Sequence, residues 1–160
     1  MAEQKTNVMR ILEQKKIPYS AHSYPHGDQP VDGVTAAALL GMDPSAVFKT
    51  LVVRGASRQI LIFVIPAAGE LDLKKAARAA GEKSLAMVHV SELLALTGYV
   101  RGGCSPIGMK KRYPTFLDRS AELLNTVTVS AGKIGFQVEL KPRDLMALTN
   151  AKTADLTIEE

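Results

Sequence analysis

The most restrictive feature of this sequence is a pair of apolar runs set too close together for a helical crossover. Phe48 to Val53 and Gln59 to Ile65 are both rich in β-branched, aromatic and leucine side chains, and only Arg54 to Arg58, with Gly55 among them, lies between. A parallel connection takes a dozen residues or more, so these runs are predicted to pair antiparallel as a hairpin. The pattern returns at Thr126 to Ser130 and Phe136 to Leu140, joined by Ala131-Gly132-Lys133-Ile134-Gly135. Two hairpins argue against a doubly wound, all-parallel sheet. Helical spacing and end signals mark Asn7 to Lys16 before Pro18, Thr35 to Leu40 before Gly41, Asp72 to Ala80 before Gly81, Ser91 to Thr97 before Gly98, and a last helix from Pro142 and Asp144 through Thr149. Tyr19 to Tyr24 and Leu85 to Val88 read as short strands. The expected class is mixed α/β, a curved mixed sheet with helices packed around it.

Residues 1–160 contain no linker, repeat or low-complexity segment, and that length suits one domain of roughly 150 residues. With 46% apolar and 22% charged residues, the composition excludes disorder, collagen and a coiled coil. The longest apolar stretch, Ile60 to Ala68, is far short of the ~20 residues that cross a bilayer. Met1 to Lys16 is too polar for a secretory signal. A soluble, cytoplasmic protein with no membrane partner is the expectation. Cys104 is the only cysteine, so an intramolecular disulfide and a multi-cysteine zinc site are excluded, and neither metal nor cofactor is expected. The net charge of +4 is unevenly spread. No acidic residue falls between Glu92 and Asp118, whereas Arg101, Lys110, Lys111 and Arg112 do, which makes this interval the candidate phosphate-facing surface.

Lys49 is the most informative single residue. In an extended strand it shares a face with Leu51 and Val53, so a cation sits on an otherwise apolar face. Either the strand end reaches solvent and the stem snorkels, or the ammonium is held at a pocket mouth for a phosphate or a developing oxyanion. The segment Gly102-Gly103-Cys104-Ser105-Pro106-Ile107-Gly108 permits unusual backbone angles and close approach to a ligand, as an ordinary turn also requires. It falls short of a nucleotide-binding P-loop, because Met109 stands where the lysine belongs. Cys104 has no histidine at a telling spacing and reads as a small buried hydrophobe. His22 and His26 are four apart, but Pro25 between them argues against the helix a metal pair would need. No carboxylate pair stands out.

Three segments together carry a resemblance: Phe48-Lys49-Thr50-Leu51-Val52-Val53, Gly98 to Gly108, and Val129-Ser130-Ala131-Gly132-Lys133. In order and content they resemble the YbaK/EbsC family of aminoacyl-tRNA deacylases, above all its Cys-tRNA(Pro) deacylase branch, related to the editing domain of bacterial prolyl-tRNA synthetases. The resemblance implies that family's barrel-like mixed sheet with surrounding helices. It also implies a trans-editing hydrolase that removes cysteine from Cys-tRNA(Pro), by attack of the substrate's own thiol on the ester, without metal or cofactor. It implies Lys49 as the catalytic lysine, holding a phosphate or the terminal adenosine, with Thr50 beside it. Gly102 and Gly103 are implied to approach the substrate through backbone atoms, Ser130 and Gly132 to line the pocket, and Tyr24 to pack on the adenosine. Aminoacyl-tRNA and, transiently, prolyl-tRNA synthetase are the implied partners. The family's aromatic residue before the second helix is absent from Pro30-Val31-Asp32-Gly33. Two other expectations compete: a deacylase for another small residue such as alanine, and a non-catalytic module that binds tRNA or the synthetase.

Overall fold

The computed structural model describes residues 5–25, 27 and 31–158; His26 and Pro30, which enter the sequence reading, lie outside them. The first predicted hairpin forms the centre of the molecule. Strand β2 (Phe48–Gly55) pairs antiparallel with β3 (Ile60–Pro66) from Phe48 opposite Pro66 to Arg54 opposite Ile60. The turn is closed by the Gly55 amide donating to the Gln59 carbonyl at 2.9 Å, with Arg58 at φ 77°. The second hairpin joins β6 (Val127–Ser130) to β7 (Phe136–Leu140), and β7 also pairs with β1 (Ser20–Ser23).

These strands fall into two sheets. One has the order β1-β7-β6, and the other runs β4-β2-β3-β5-β8, with β4 (Leu85–Met87), β5 (Thr115–Asp118) and β8 (Lys152–Ala154) added to the central hairpin. Strands β5 and β8 escape the sequence reading. Both pair in parallel, β5 with β3 and β8 with β5. The sheet is therefore mixed, as expected, but it is open and split in two instead of closing as a barrel. A parallel bridge between Val47 and Thr128 joins the two sheets, supported by the Thr128 amide donating to the Ala46 carbonyl at 2.9 Å.

Among the described residues five α-helices of eight residues each pack around this frame: α1 (Asn7–Gln14), α2 (Gly33–Leu40), α3 (Leu73–Ala80), α4 (Val90–Thr97) and α5 (Pro142–Thr149). Their starts follow polar capping rules, since Thr6, Asp32 and Asp72 accept backbone N–H bonds at α1, α2 and α3. Gly41, Gly81 and Gly98 close α2, α3 and α4 in the left-handed conformation. Period-two alternation divides β2 and β3 between two cores. Phe48, Val52, Ile62 and Val64 face α1, the small sheet and Leu145 of α5. Val53, Leu61, Phe63 and Ile65 face Ala76 and Ala77 of α3 and Leu156, with Phe63 and Phe116 stacked at 5.1 Å.

Asp118 ties the chain's end to this core. Its buried carboxylate accepts from the Ser120 amide at 3.1 Å and from the Leu156 amide at 3.0 Å. Asp118→Ala is expected to cost about 2–3 kcal/mol in denaturant unfolding, because the buried Leu156 N–H loses its acceptor. A loss below ~1 kcal/mol would mean that the terminal segment finds other partners.

Candidate active site

The bridge at Val47 and Thr128 brings the start of β2 beside the end of β6. Beyond it a cavity of about 100 Å³ opens, lined from both sheets. Lys49 and Thr50 come from β2, and Ser130 and Gln137 from the second hairpin, where they are direct register partners. Tyr24, buried just past β1, forms another wall, fixed by its amide donating to the Gly135 carbonyl at 3.0 Å. Helix α2 closes one side through Gly33 and Ala36. A Cβ on Gly33 would stand 2.6 Å from that of Ala67, so the helix sits against the end of β3 only because this residue has no side chain.

The polar groups here are unusually underused. The Thr50 hydroxyl and the Gln137 side-chain carbonyl are buried with no hydrogen-bond partner. The Ser130 oxygen accepts from the Gly132 amide at 3.1 Å, which leaves its O–H free to donate. Buried polar atoms are normally paired, so such a concentration on one cavity marks a place for a polar ligand. Lys49 keeps the alternation read from sequence: Leu51 and Val53 on its face belong to the α3 core, and Lys49 stands where that core ends. Burial pulls its pKa below the ordinary lysine value, while the carboxylates of Glu70 and Asp32 work in the opposite direction.

The glycine-rich loop divides between cavity and packing. Gly102 and Cys104 line the cavity. Gly103 packs behind it, because a Cβ there would lie 3.2 Å from the backbone of Lys133 and Ile134, and its amide donates to the Val100 carbonyl at 3.0 Å. Gly132, at φ 97°, also stands outside the lining, pressed against Tyr99 and Val8. The structure thus gathers Lys49, Tyr24, Thr50, Gly102 and Ser130, and leaves Gly103 and Gly132 as the scaffold behind them. Gln137 and α2 are additions that sequence reasoning missed. Gln137 alternates with Phe136 and Val138 as any solvent-facing strand residue would, and only its pairing with Ser130 across the five-residue loop could have flagged it.

Among the described residues lining the cavity there is no imidazole or carboxylate. Burial pushes the Cys104 thiol up to about 12, so it is protonated at neutral pH. His22 bonds through Nε2 to Glu139 at 2.9 Å, and His89 is an exposed residue at the start of α4, its amide donating to Glu92. Among the described residues no three histidine, cysteine or acidic side chains cluster as a metal site would require, and no helix is long and apolar enough to cross a membrane.

Comparison with known proteins agrees with this architecture. The family model for the aminoacyl-tRNA editing domain matches residues 29–148. An Enterococcus faecalis protein, provisionally named Cys-tRNA(Pro)/Cys-tRNA(Cys) deacylase EbsC, is 45% identical over 158 residues, 99% of this chain and 96% of that one. The proline–tRNA ligase of Shouchella clausii is 30% identical over 101 residues, 63% of this chain but 18% of the ligase. A crystallised protein provisionally described as a trans-editing enzyme for prolyl tRNA synthetase superposes with a TM-score of 0.82 at 26% identity, over 98% of this chain and 100% of the other. The fold is thus that of a domain that edits aminoacylated tRNA. The chain belongs to the aminoacyl-tRNA editing domain family.

Lys49→Met is expected to preserve or raise thermal stability, because it removes a partly desolvated cation. The pH dependence has a definite sign. The unfolded lysine keeps its proton up to its ordinary value of 10.5, whereas the folded one releases it earlier. The unfolded state therefore binds more protons over that interval, and wild-type stability must rise relative to Lys49→Met as pH climbs toward 10.5. Denaturant unfolding of both proteins across this range checks it; a wild-type advantage that falls with rising pH would place the ammonium in a stabilising ion pair.

Proposed function

We propose that this chain is an aminoacyl-tRNA deacylase that removes cysteine from mischarged Cys-tRNA(Pro), acting in trans to prolyl-tRNA synthetase. The observation that carries the reading is a cavity of about 100 Å³, lined by a lysine and by two unpaired polar atoms, the Thr50 hydroxyl and the Gln137 carbonyl, with no imidazole or carboxylate among its described lining residues. A cavity of this size suits a small aminoacyl group, with the nucleotide left at its mouth. A synthetase pocket for proline discriminates against a residue of similar size by only ~1–3 kcal/mol, so a second site that admits the smaller error is chemically required.

In this mechanism the substrate supplies the nucleophile. The cysteine sulfur attacks its own ester carbonyl, a C–S bond forms as the bond to the ribose oxygen breaks, and the thiol proton passes to that oxygen. Water then opens the resulting thiolactone and restores free cysteine. The protein contributes position: Lys49 holds a phosphate or the terminal adenosine, and Thr50, Ser130 and Gln137 supply hydrogen-bonding groups for the aminoacyl end. A transient complex with prolyl-tRNA synthetase supplies the mischarged tRNA at high effective concentration.

Release of amino acid from tRNA(Pro) charged with cysteine, serine, alanine or S-methylcysteine tests the reaction. Cysteine should leave at least about a hundredfold faster than the other three, ~2.7 kcal/mol of barrier. Equal rates on alanine would replace the thiol mechanism with a simple size sieve, and no release from any substrate would leave a binding module.

Lys49→Ala should lose most of the activity, and Lys49→Arg should also be impaired, since a planar fork does not replace a compact ammonium. Cys104→Ala should stay within a few-fold of wild type. A loss beyond a hundredfold in Cys104→Ala would instead assign the nucleophile to the protein.

A further inference from the structure

The basic run at 110–112 does not act as one patch. Lys110 turns back along α4, its stem lying over Gly98 and its amide donating to the Thr97 carbonyl at 3.1 Å. Lys111 and Arg112 instead border a groove on the far side of the 99–113 loop. It consists of two adjoining hollows, of about 200 and 350 Å³, that share Arg112, Tyr113, Thr115 and Thr149. Lys15 enters from the end of α1 and Lys152 from β8. Among the described residues the lining thus carries four exposed cations and no carboxylate. None of the four is ion-paired among the described residues, which is equally true of Lys74 and Arg78 on α3, so what sets the four apart is their convergence on one groove.

Local structure explains only part of this. Lys15 caps α1 and Lys152 lies just beyond α5, where helix carbonyls favour cations. Lys111 and Arg112 sit on a loop with no helix end to compensate. The floor beneath them is rigid, because the Tyr113 hydroxyl donates to the Leu96 carbonyl at 2.6 Å. A wide, elongated depression bordered by unpaired cations matches a run of phosphodiesters. The loop Gly102–Gly108 is a wall common to both sites: Gly102 and Cys104 line the cavity, while Pro106, Ile107 and Gly108 line the groove. From Cys104 to Ile107 the chain spans at most ~11 Å.

We infer that this groove binds the phosphate backbone of the tRNA whose aminoacyl end enters the cavity, through Lys15, Lys111, Arg112 and Lys152. The inference rests on the deacylase reading for the identity of the polyanion, and the experiment separates the two. Fluorescence anisotropy with unacylated transcripts of tRNA(Pro) and of one unrelated tRNA would be run from about 50 to 200 mM salt. The variants are Lys111→Gln/Arg112→Gln, Lys15→Gln/Lys152→Gln, and the control Lys74→Gln/Arg78→Gln on the exposed face of α3, with thermal melts to establish that each is folded. Each groove pair should weaken binding of both tRNAs by about tenfold and lower the log–log salt slope by about one per cation removed. The α3 control should bind more than threefold tighter than either groove pair. Groove variants that bind like wild type, or a control that weakens equally, would overturn the assignment in favour of diffuse net charge. Cysteine release by wild type is measured in parallel. Groove-dependent tRNA binding without release would sink the deacylase reading and leave the groove standing, and release with groove-independent binding would do the reverse.

Discussion

The site depends on one short backbone contact, the parallel bridge between Val47 and Thr128. Without it the two sheets would meet only through apolar side chains, which set distance but not register. Two residues further along each strand stand Lys49 and Ser130, so the bridge alone determines that a cation from one sheet and a hydroxyl from the other reach the same place. The strands make no further bridge beyond this point, and the cavity opens where they part. The contact is itself pinned, since the Val47 carbonyl accepts from the Ala67 amide at 2.7 Å and Val47 is buried with Ala37 and Ala67 beneath α2. A slip of one residue would turn Lys49 and Ser130 to the opposite faces of their sheets.

What the bridge assembles is costly for the empty protein. An unpaired buried donor or acceptor costs about 1–3 kcal/mol, and Thr50 and Gln137 each hold one beside a partly desolvated lysine. A domain of this size has few kilocalories to spare. Asp118 shows the opposite arrangement, since its two carboxylate oxygens each take a backbone amide. The contrast is physical evidence for function: local rules are broken together where a ligand can restore the missing bonds.

The sequence made the frame legible because its strongest signals were local. Hairpin spacing, glycine helix ends and capping aspartates each act over a few residues, and both hairpins, the helices and the mixed class could be read from them. Strands β5 and β8 could not, since Thr115–Asp118 becomes a strand only by pairing with β3 across more than forty intervening residues. The site divides in the same way. Lys49 was visible as a charge on an apolar face, and Ser130 and Gly102 through family resemblance. Gln137 and α2 reach the cavity only through tertiary packing. Gly103 and Gly132 carried a strong sequence signal for a different reason, close packing against Lys133 and Tyr99, and a glycine required for packing looks the same in sequence as one required for a ligand.

The loop from Tyr99 to Tyr113 links the two halves of the proposed function. Its inner residues touch the cavity, its outer residues touch the groove, and the Tyr99 hydroxyl, donating to the Ile107 carbonyl at 2.5 Å, closes it into one unit. Burial raises that phenol to about 12, so it stays a donor throughout the physiological range. The two surfaces read different information. On the proposed function the cavity measures the volume and polarity of an amino acid, whereas cations on phosphates position a nucleic acid without reading its sequence. A domain built this way discriminates among aminoacyl groups but hardly among tRNAs. On that reading, selection of tRNA(Pro) would come from outside the domain, and a synthetase that already holds that tRNA is a sufficient source.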